Sequence, residues 1–226
     1  NQGPGTARNH GVKEAKGEHI AFLDDDCEPK SDWLENLVRS AGEGLIIGGR
    51  TENKLVNNMC SEASQQLVTF LYHYFENTPW YFFTSNNFLV DRKSFLEVGG
   101  FDESFPTSAG EDREFCTRWL ASGLELKYEP SAIIDHAHQL TLNTFWRQHY
   151  KYGKAASQYR KSIESLGVSP NATQPNFYLK LMVFPFKENR LSFSRQVRIS
   201  WLFCISQMAT FSGFLKARLI ALFEHN

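Results

Sequence analysis

A five-residue apolar run, His19–Leu23, passes directly into Asp24-Asp25-Asp26. A run this short has the length of a buried strand, and three adjacent carboxylates cannot continue into a core. The strand therefore ends at residue 23 with acids at its carboxyl tip. The pattern around it alternates. Gly3-Pro4-Gly5 makes a turn, Thr6 is placed to cap a helix over 7–16, and Gly17 closes it. After Pro29, Ser31 or Asp32 opens a second helix whose apolar face is Trp33, Leu34, Leu37 and Val38. Residues 45–47 form a second buried strand. Helix, strand, helix, strand predicts an α/β sheet.

The rest of the chain is less regular. Helices are expected over 60–76, 92–98 and 111–122, the last with Phe115, Trp119 and Leu120 on one side and Gly123 as its stop. Strands are expected at 85–90 and 132–134, and a long helix from 141 through 157 or beyond. The loop at 169–175 (SPNATQP) is the best boundary between units. The 226 residues are enough for one large domain. With 24 Lys+Arg against 25 Asp+Glu, the chain lacks the basic excess of a general nucleic-acid binder. Its 42% hydrophobic and 22% charged residues exclude a disordered chain. Cys27, Cys60, Cys116 and Cys204 form no C-x-x-C pair, so no zinc ribbon is expected and the four read as reduced thiols of a cytosolic protein. The 19 phenylalanines demand a good core, or a lipid or protein surface. Residues 199–215 hold no charged side chain, between Arg198 and Lys216. Seventeen residues is the lower limit of a membrane span. Ser, Thr, Gln and Gly within the run weaken insertion, so an interfacial or core-packed helix is expected instead.

Three segments carry chemistry. Asp24-Asp25-Asp26 lies where α/β sheets bind ligands, beyond a strand's carboxyl end. It reads either as a site for a hard divalent cation bridging a diphosphate or as a solvated acidic loop. Ser108-Ala109-Gly110-Glu111-Asp112-Arg113 is a small turn opening a helix with two acids. They serve the helix N-terminus, or one of them is a general base. Asp135-His136-Ala137-His138 follows a strand. If the extended conformation continues, both histidines face one side and approach one site; otherwise they are ordinary residues.

The order NQGPGTARNHG (1–11), FLDDD (22–26), SNNFLVDRKSFLEVGGFDESF (85–105), GEDREFCTRW (110–119), HAH (136–138) and FWRQHYKYG (145–153) resembles glycosyltransferase family 2, of the GT-A type. The resemblance covers about residues 1–155. It implies a GT-A-like mixed sheet flanked by helices as a catalytic core over 1–155, with a helical extension over 156–226. It places Asn1 after the family's first strands and helices, so the chain is expected to be truncated at its N-terminus. By the same resemblance Asp26 is the leading metal ligand, with Asp24 beside it and His136 as a further ligand; His138 is the fallback. Asp24, Asp25, Arg8, Asn9 and Arg147 lie toward the nucleotide. Asp112 matches the catalytic base, with Glu111 its neighbour. Arg147-Gln148 stands where processive members carry Q-x-x-R-W, and the order here departs from that motif, which puts processive polymerisation in doubt.

The implied activity is transfer of a sugar from a nucleotide-sugar donor to a hydroxyl of a glycan or lipid-linked acceptor. It proceeds with inversion and uses Mn²⁺ or Mg²⁺, a histidine ligand favouring Mn²⁺. Trp80-Tyr81-Phe82-Phe83 reads as an acceptor platform or as core. The expected location is cytoplasmic, at the inner face of the cell membrane if residues 195–223 make peripheral membrane contact; otherwise that helix packs on the core or in a dimer. Two rival readings remain. One is a non-catalytic or inactive binding module. The other is a haloacid dehalogenase-type phosphatase with Asp24 as nucleophile, from which Cys27-Glu28 departs.

Overall fold

The computed structural model describes residues 3–105, 109–169, 176–187 and 191–223. The expected turn residue Ser108 and most of the expected boundary loop, 170–175, lie outside them. The chain runs α1 (Pro4–Glu14), β1 (His19–Leu23), β2 (Cys27–Pro29), α2 (Trp33–Arg39), β3 (Leu45–Asn53), α3 (Met59–Phe75), β4 (Asn87–Asp91), α4 (Arg92–Val98), α5 (Glu111–Ala121), β5 (Glu125–His136), α6 (Leu142–Ser165), α7 (Phe177–Lys187) and α8 (Phe193–Phe223).

Helix α1 starts at Pro4 rather than after Thr6, because proline's fixed φ suits the first helical position, where a missing N–H costs nothing. In α2 only half of the expected apolar face is covered. Trp33 and Leu37 are buried, Leu34 and Val38 are exposed, and the buried polar residue Asn36 donates to the Ser131 carbonyl at 2.9 Å.

The five strands form one mixed sheet in the order β1-β4-β3-β5-β2. Only β3 and β5 are parallel; the other neighbours are antiparallel. Alternation along the strands feeds two layers. Ile46, Phe88 and Val90 face a core built with Phe22, Phe95, Phe101, Phe115 and Trp119. Ile47 and Leu89 face the opposite layer with Trp33, Leu37, Ala132 and Ile134. Strand β5 is far longer than the expected 132–134. Its first half, ELKYEPS, is polar at alternate positions, and its pairing with β3 breaks between Gly49, opposite Glu129, and Arg50, opposite Ile133. That irregularity takes up Pro130, which has no N–H to offer a ladder.

The expected division at residue 155 falls inside the continuous helix α6, which packs against α8. A third core joins Phe70 of α3 and Phe145 of α6 to Phe177 and Leu181 of α7 and Ile199 and Phe203 of α8.

Candidate functional site

The short strand β2 assembles the first half of the site. After β1 the chain turns, with the Cys27 N–H donating to the Asp24 carbonyl at 3.1 Å, and β2 then pairs antiparallel with the end of β5, Cys27 opposite His136. Asp26, just before β2, thereby meets residues 110 and 112 positions later in sequence. Its Oδ2 lies 3.3 Å from His136 Nε2 and 3.4 Å from His138 Nδ1, and the two rings sit 5.1 Å apart. Strand β5 ends at His136, and His138 follows two residues beyond it. Burial pushes the Asp26 carboxyl up, and the two histidines outweigh it and hold it below its usual value. Burial likewise holds His136 down against the pull of Asp26.

Gln148 of α6 orients the second histidine. Its Nε2 donates to Ser64 Oγ at 3.1 Å and to the Tyr152 hydroxyl at 2.8 Å, which leaves Oε1 to accept from His138 Nε2–H at 3.0 Å. As a neutral ring with its proton on Nε2, His138 would turn the Nδ1 lone pair toward the Asp26 carboxylate. Either a proton on Nδ1 or a bound metal ion would bridge these two atoms, 3.4 Å apart. Ligand atoms about 2.1 Å from an ion and at right angles lie roughly 3 Å apart, close to the observed spacings. Asp26, His136 and His138 can therefore hold a metal ion, with all three ligand atoms within 4.8 Å of one another.

Arg8 builds the second half. From α1 its guanidinium donates to Asp24 Oδ1 at 2.9 Å and to Glu111 Oε1 at 3.1 Å, tying the acidic turn after β1 to the start of α5. Glu111 is buried and its Oε2 has no hydrogen-bond partner. Burial and the neighbouring Asp112 charge raise its carboxyl to about 7, against the pull of Arg8. Asp112 is half-buried, and its Oδ1 accepts the Arg113 N–H at 2.9 Å. Burial raises its pKa too, opposed by Arg8 and by the Arg113 and Ser85 backbone N–H groups. The helix start is held from behind. Arg118 grips Glu114 with two nitrogens, at 2.9 and 2.6 Å, and donates to the carbonyls of Val98 and Gly100.

The remaining expected residues fall elsewhere. Asn9 is buried and spends its amide on the neighbouring loop, donating to the Phe101 carbonyl and Glu103 and accepting the Phe101 N–H. Asp25 and Arg147 are exposed, and Asp24 pairs with Arg8 rather than joining the Asp26 trio. Of the Trp80–Phe83 run, Tyr81, Phe82 and Phe83 are core rather than platform, while Trp80 is partly buried against them. Sequence reasoning assigns no contact to Ser64 or Tyr152 and reads Gln148 only as part of the departure from Q-x-x-R-W, with no contact to His138. The i, i+4 spacing of Gln148 and Tyr152 on one helix is the available signal.

The raised Glu111 carboxyl has a consequence for stability. Between about 4.5, the ordinary value, and about 7 the fold binds more protons than the unfolded chain. Stability is thus full below that window and falls as pH rises through it. Glu111→Gln is expected to flatten this decline in urea-denaturation midpoints taken across the window. A variant that declines as steeply as the parent would remove Glu111 as the responsible group.

A mixed five-stranded sheet with carboxylates and histidines gathered beyond β1 defines a protein of the GT-A-like fold class. Residues 51–175 match the family described as Glycosyltransferase like family 2, and residues 1–99 match Glycosyl transferase family 2. The chain belongs to glycosyltransferase family 2. It is 27% identical over 164 residues to the pre-mycofactocin glycosyltransferase of Mycobacterium tuberculosis, covering 69% of this chain and 34% of that protein. A shorter stretch of 53 residues is 43% identical to the glycosyltransferase AglE of Haloferax volcanii, covering 23% of this chain and 17% of that one. The chain thus spans about a third or less of the length of these relatives. In three dimensions it superposes on a mannosyltransferase from Pyrobaculum calidifontis, solved in complex with GDP-Man and Mn²⁺, with a TM-score of 0.56 at 15% identity, covering 97% of this chain and 66% of that one. Family membership sets the phosphatase reading aside.

Proposed function

We propose that this chain carries the catalytic centre of an inverting glycosyltransferase, moving a sugar from a nucleotide-sugar donor to a hydroxyl of a glycan or lipid-linked acceptor. The observation that carries the reading is the Arg8 bridge. It ties the acidic turn that leads into the metal-type cluster to the Glu111-Asp112 start of α5, with one guanidinium nitrogen on Asp24 and the other on Glu111. Asp26, His136 and His138 would hold the divalent ion, which when bound supplies Lewis-acid stabilisation of the departing diphosphate. Two imidazoles beside one carboxylate favour Mn²⁺ over Mg²⁺, in keeping with the ion in the Pyrobaculum enzyme. Asp112 accepts the proton of the acceptor hydroxyl as that oxygen attacks the anomeric carbon. Glu111 keeps its place through Arg8 and sets the local charge beside the base. The exposed Asp25 and Arg147 are left as nucleotide contacts.

The reading is tested by titrating Mn²⁺ into the protein in the presence of UDP or of GDP, followed by the loss of the free-ion paramagnetic resonance signal. Asp26→Asn is expected to abolish saturable binding. Gln148→Leu, which frees His138 to rotate and change tautomer, is expected to weaken it by about 10–100-fold, and Gln148→Glu, which keeps an acceptor for His138 Nε2–H, to restore most of it. Saturable Mn²⁺ binding that survives Asp26→Asn would place the ion elsewhere.

A further inference from the structure

We propose that the outer face of α7 and α8 is a docking surface for an anionic lipid membrane, with α8 lying in the plane of the headgroups. The phenylalanines sort sharply along the chain. Every one from Phe22 to Phe145 is buried, whereas of the eight in α7 and α8 only Phe177 and Phe203 are. Helix α8 has two apolar faces. Ile199, Leu202, Phe203 and Ala209 pack into the protein. On the other side Val197, Trp201, Met208, Phe211, Leu215 and Leu222 recur at spacings of three, four or seven residues and stay exposed, Trp201 at 60%, Phe211 at 65% and Leu222 at 64%. An apolar ridge of this length, about 38 Å at 1.5 Å per residue, is more than a monomer normally leaves in water.

Charge selects the occupant. Helices α7 and α8 hold Lys180, Lys187, Arg195, Arg198, Lys216 and Arg218 and no acid, in a chain of net charge −1. At 3.6 residues per turn, Arg198 and Lys216 project about 100° to one side of the ridge and Arg218 about 60° to the other. Cations bracketing an apolar stripe suit an interfacial helix: the rings enter the acyl boundary and the long basic side chains reach anionic headgroups. A second copy docked ridge to ridge would bring these cations together with no acid on either helix to pair them. Crossing the bilayer is not open to this segment, since among the described residues no helix is long and apolar enough to do so. The surface is independent of the transferase reading.

Vesicle flotation of the whole chain tests the proposal, with phosphatidylcholine alone and with phosphatidylcholine containing 30% phosphatidylglycerol. The protein is expected to float with the anionic vesicles only. Brominated lipid is expected to quench the part of the fluorescence that Trp201→Phe removes. The triple reversal Arg198→Glu, Lys216→Glu, Arg218→Glu alters only exposed positions, so the circular dichroism spectrum stays that of the parent, and it is expected to weaken partitioning on the order of 100-fold. Protein that stays at the bottom with both vesicle types overturns the proposal, as does a triple variant that floats like the parent. A Trp201 buried in a concentration-dependent dimer without lipid would assign the ridge to a second copy and overturn it as well.

Discussion

Replacing Asp112 by Asn is expected to cut sugar transfer by roughly 10²–10⁴-fold while Mn²⁺ and nucleotide still bind. The variant keeps the size of the side chain and an oxygen for the Arg113 N–H, so helix α5 starts as before. What it loses is the capacity to take a proton. The reaction asks for that capacity only as the acceptor oxygen bonds to the sugar, so kcat should fall with KM for the donor little changed. The acidity of Asp112 adds a second readout. Burial raises it, and Arg8 and two backbone N–H groups only partly oppose this. A base must be ionised to act, so the parent's rate should climb with pH along an acid limb lying above the usual carboxylate range. The Asn variant should show no such limb. Parent-like turnover by Asp112→Asn would remove the residue as base. An equal loss of donor hydrolysis measured without acceptor would move its role from the acceptor to the donor.

Substituting Gly153 is expected to separate α6 from α8. A Cβ placed on Gly153 would stand 1.9 Å from the Thr210 carbonyl oxygen and 2.9 Å from the Phe214 nitrogen; one on Gly213 would stand 2.1 Å from the Tyr150 carbonyl oxygen. The two glycines lie in each other's helix-crossing point, and every atom in the way is backbone, which cannot rotate aside. The helices must move apart, and the core of Phe145, Ile199 and Phe203 opens with them. Overpacking of this kind costs about 3 kcal/mol or more, which lowers Tm by roughly 10 °C in a domain of this size. Gly153→Ala and Gly213→Ala should each show the fall, and the double variant less than the sum, because one separation relieves both contacts. Gly11→Ala is the control: it sits in α1 with nothing within 4 Å of where its new methyl would stand, so it should be neutral or slightly stabilising. Because α6 also carries Gln148, the Gly153 variant should lose Mn²⁺ affinity along with stability. A melting temperature equal to the parent's would show that the helices do not cross this closely.

Much of the framework is readable in one dimension because its causes are local. The length of His19–Leu23, the helix over 92–98 and the acids opening α5 each depend on neighbours within a turn or a strand. What the reading misses has distant causes. Asn36 reads as the polar side of α2, yet it is buried because the Ser131 carbonyl waits opposite it, 95 residues away. Strand β5 is legible only at 132–134, because its polar first half becomes a strand through parallel pairing with β3. Arg8 and Asn9 look equally suited to a nucleotide, and only their contacts part them: Arg8 joins two acidic segments while Asn9 clasps the loop at Phe101.

The sequence by itself determined which chemistry this protein carries: carboxylates at the tip of a strand, an acid pair at the head of a helix, two histidines two residues apart and a family's order of motifs. Residue types and their short-range spacing are enough for that. The tertiary structure alone decided how they combine. It set Asp26 against both histidines through the β2–β5 register, gave His138 its orientation through Gln148, and left one face of α8 bare while two glycines bury the other. Those outcomes depend on strand register and on how closely two backbones approach, and both are properties of segments far apart in the chain that become fixed only when they pack.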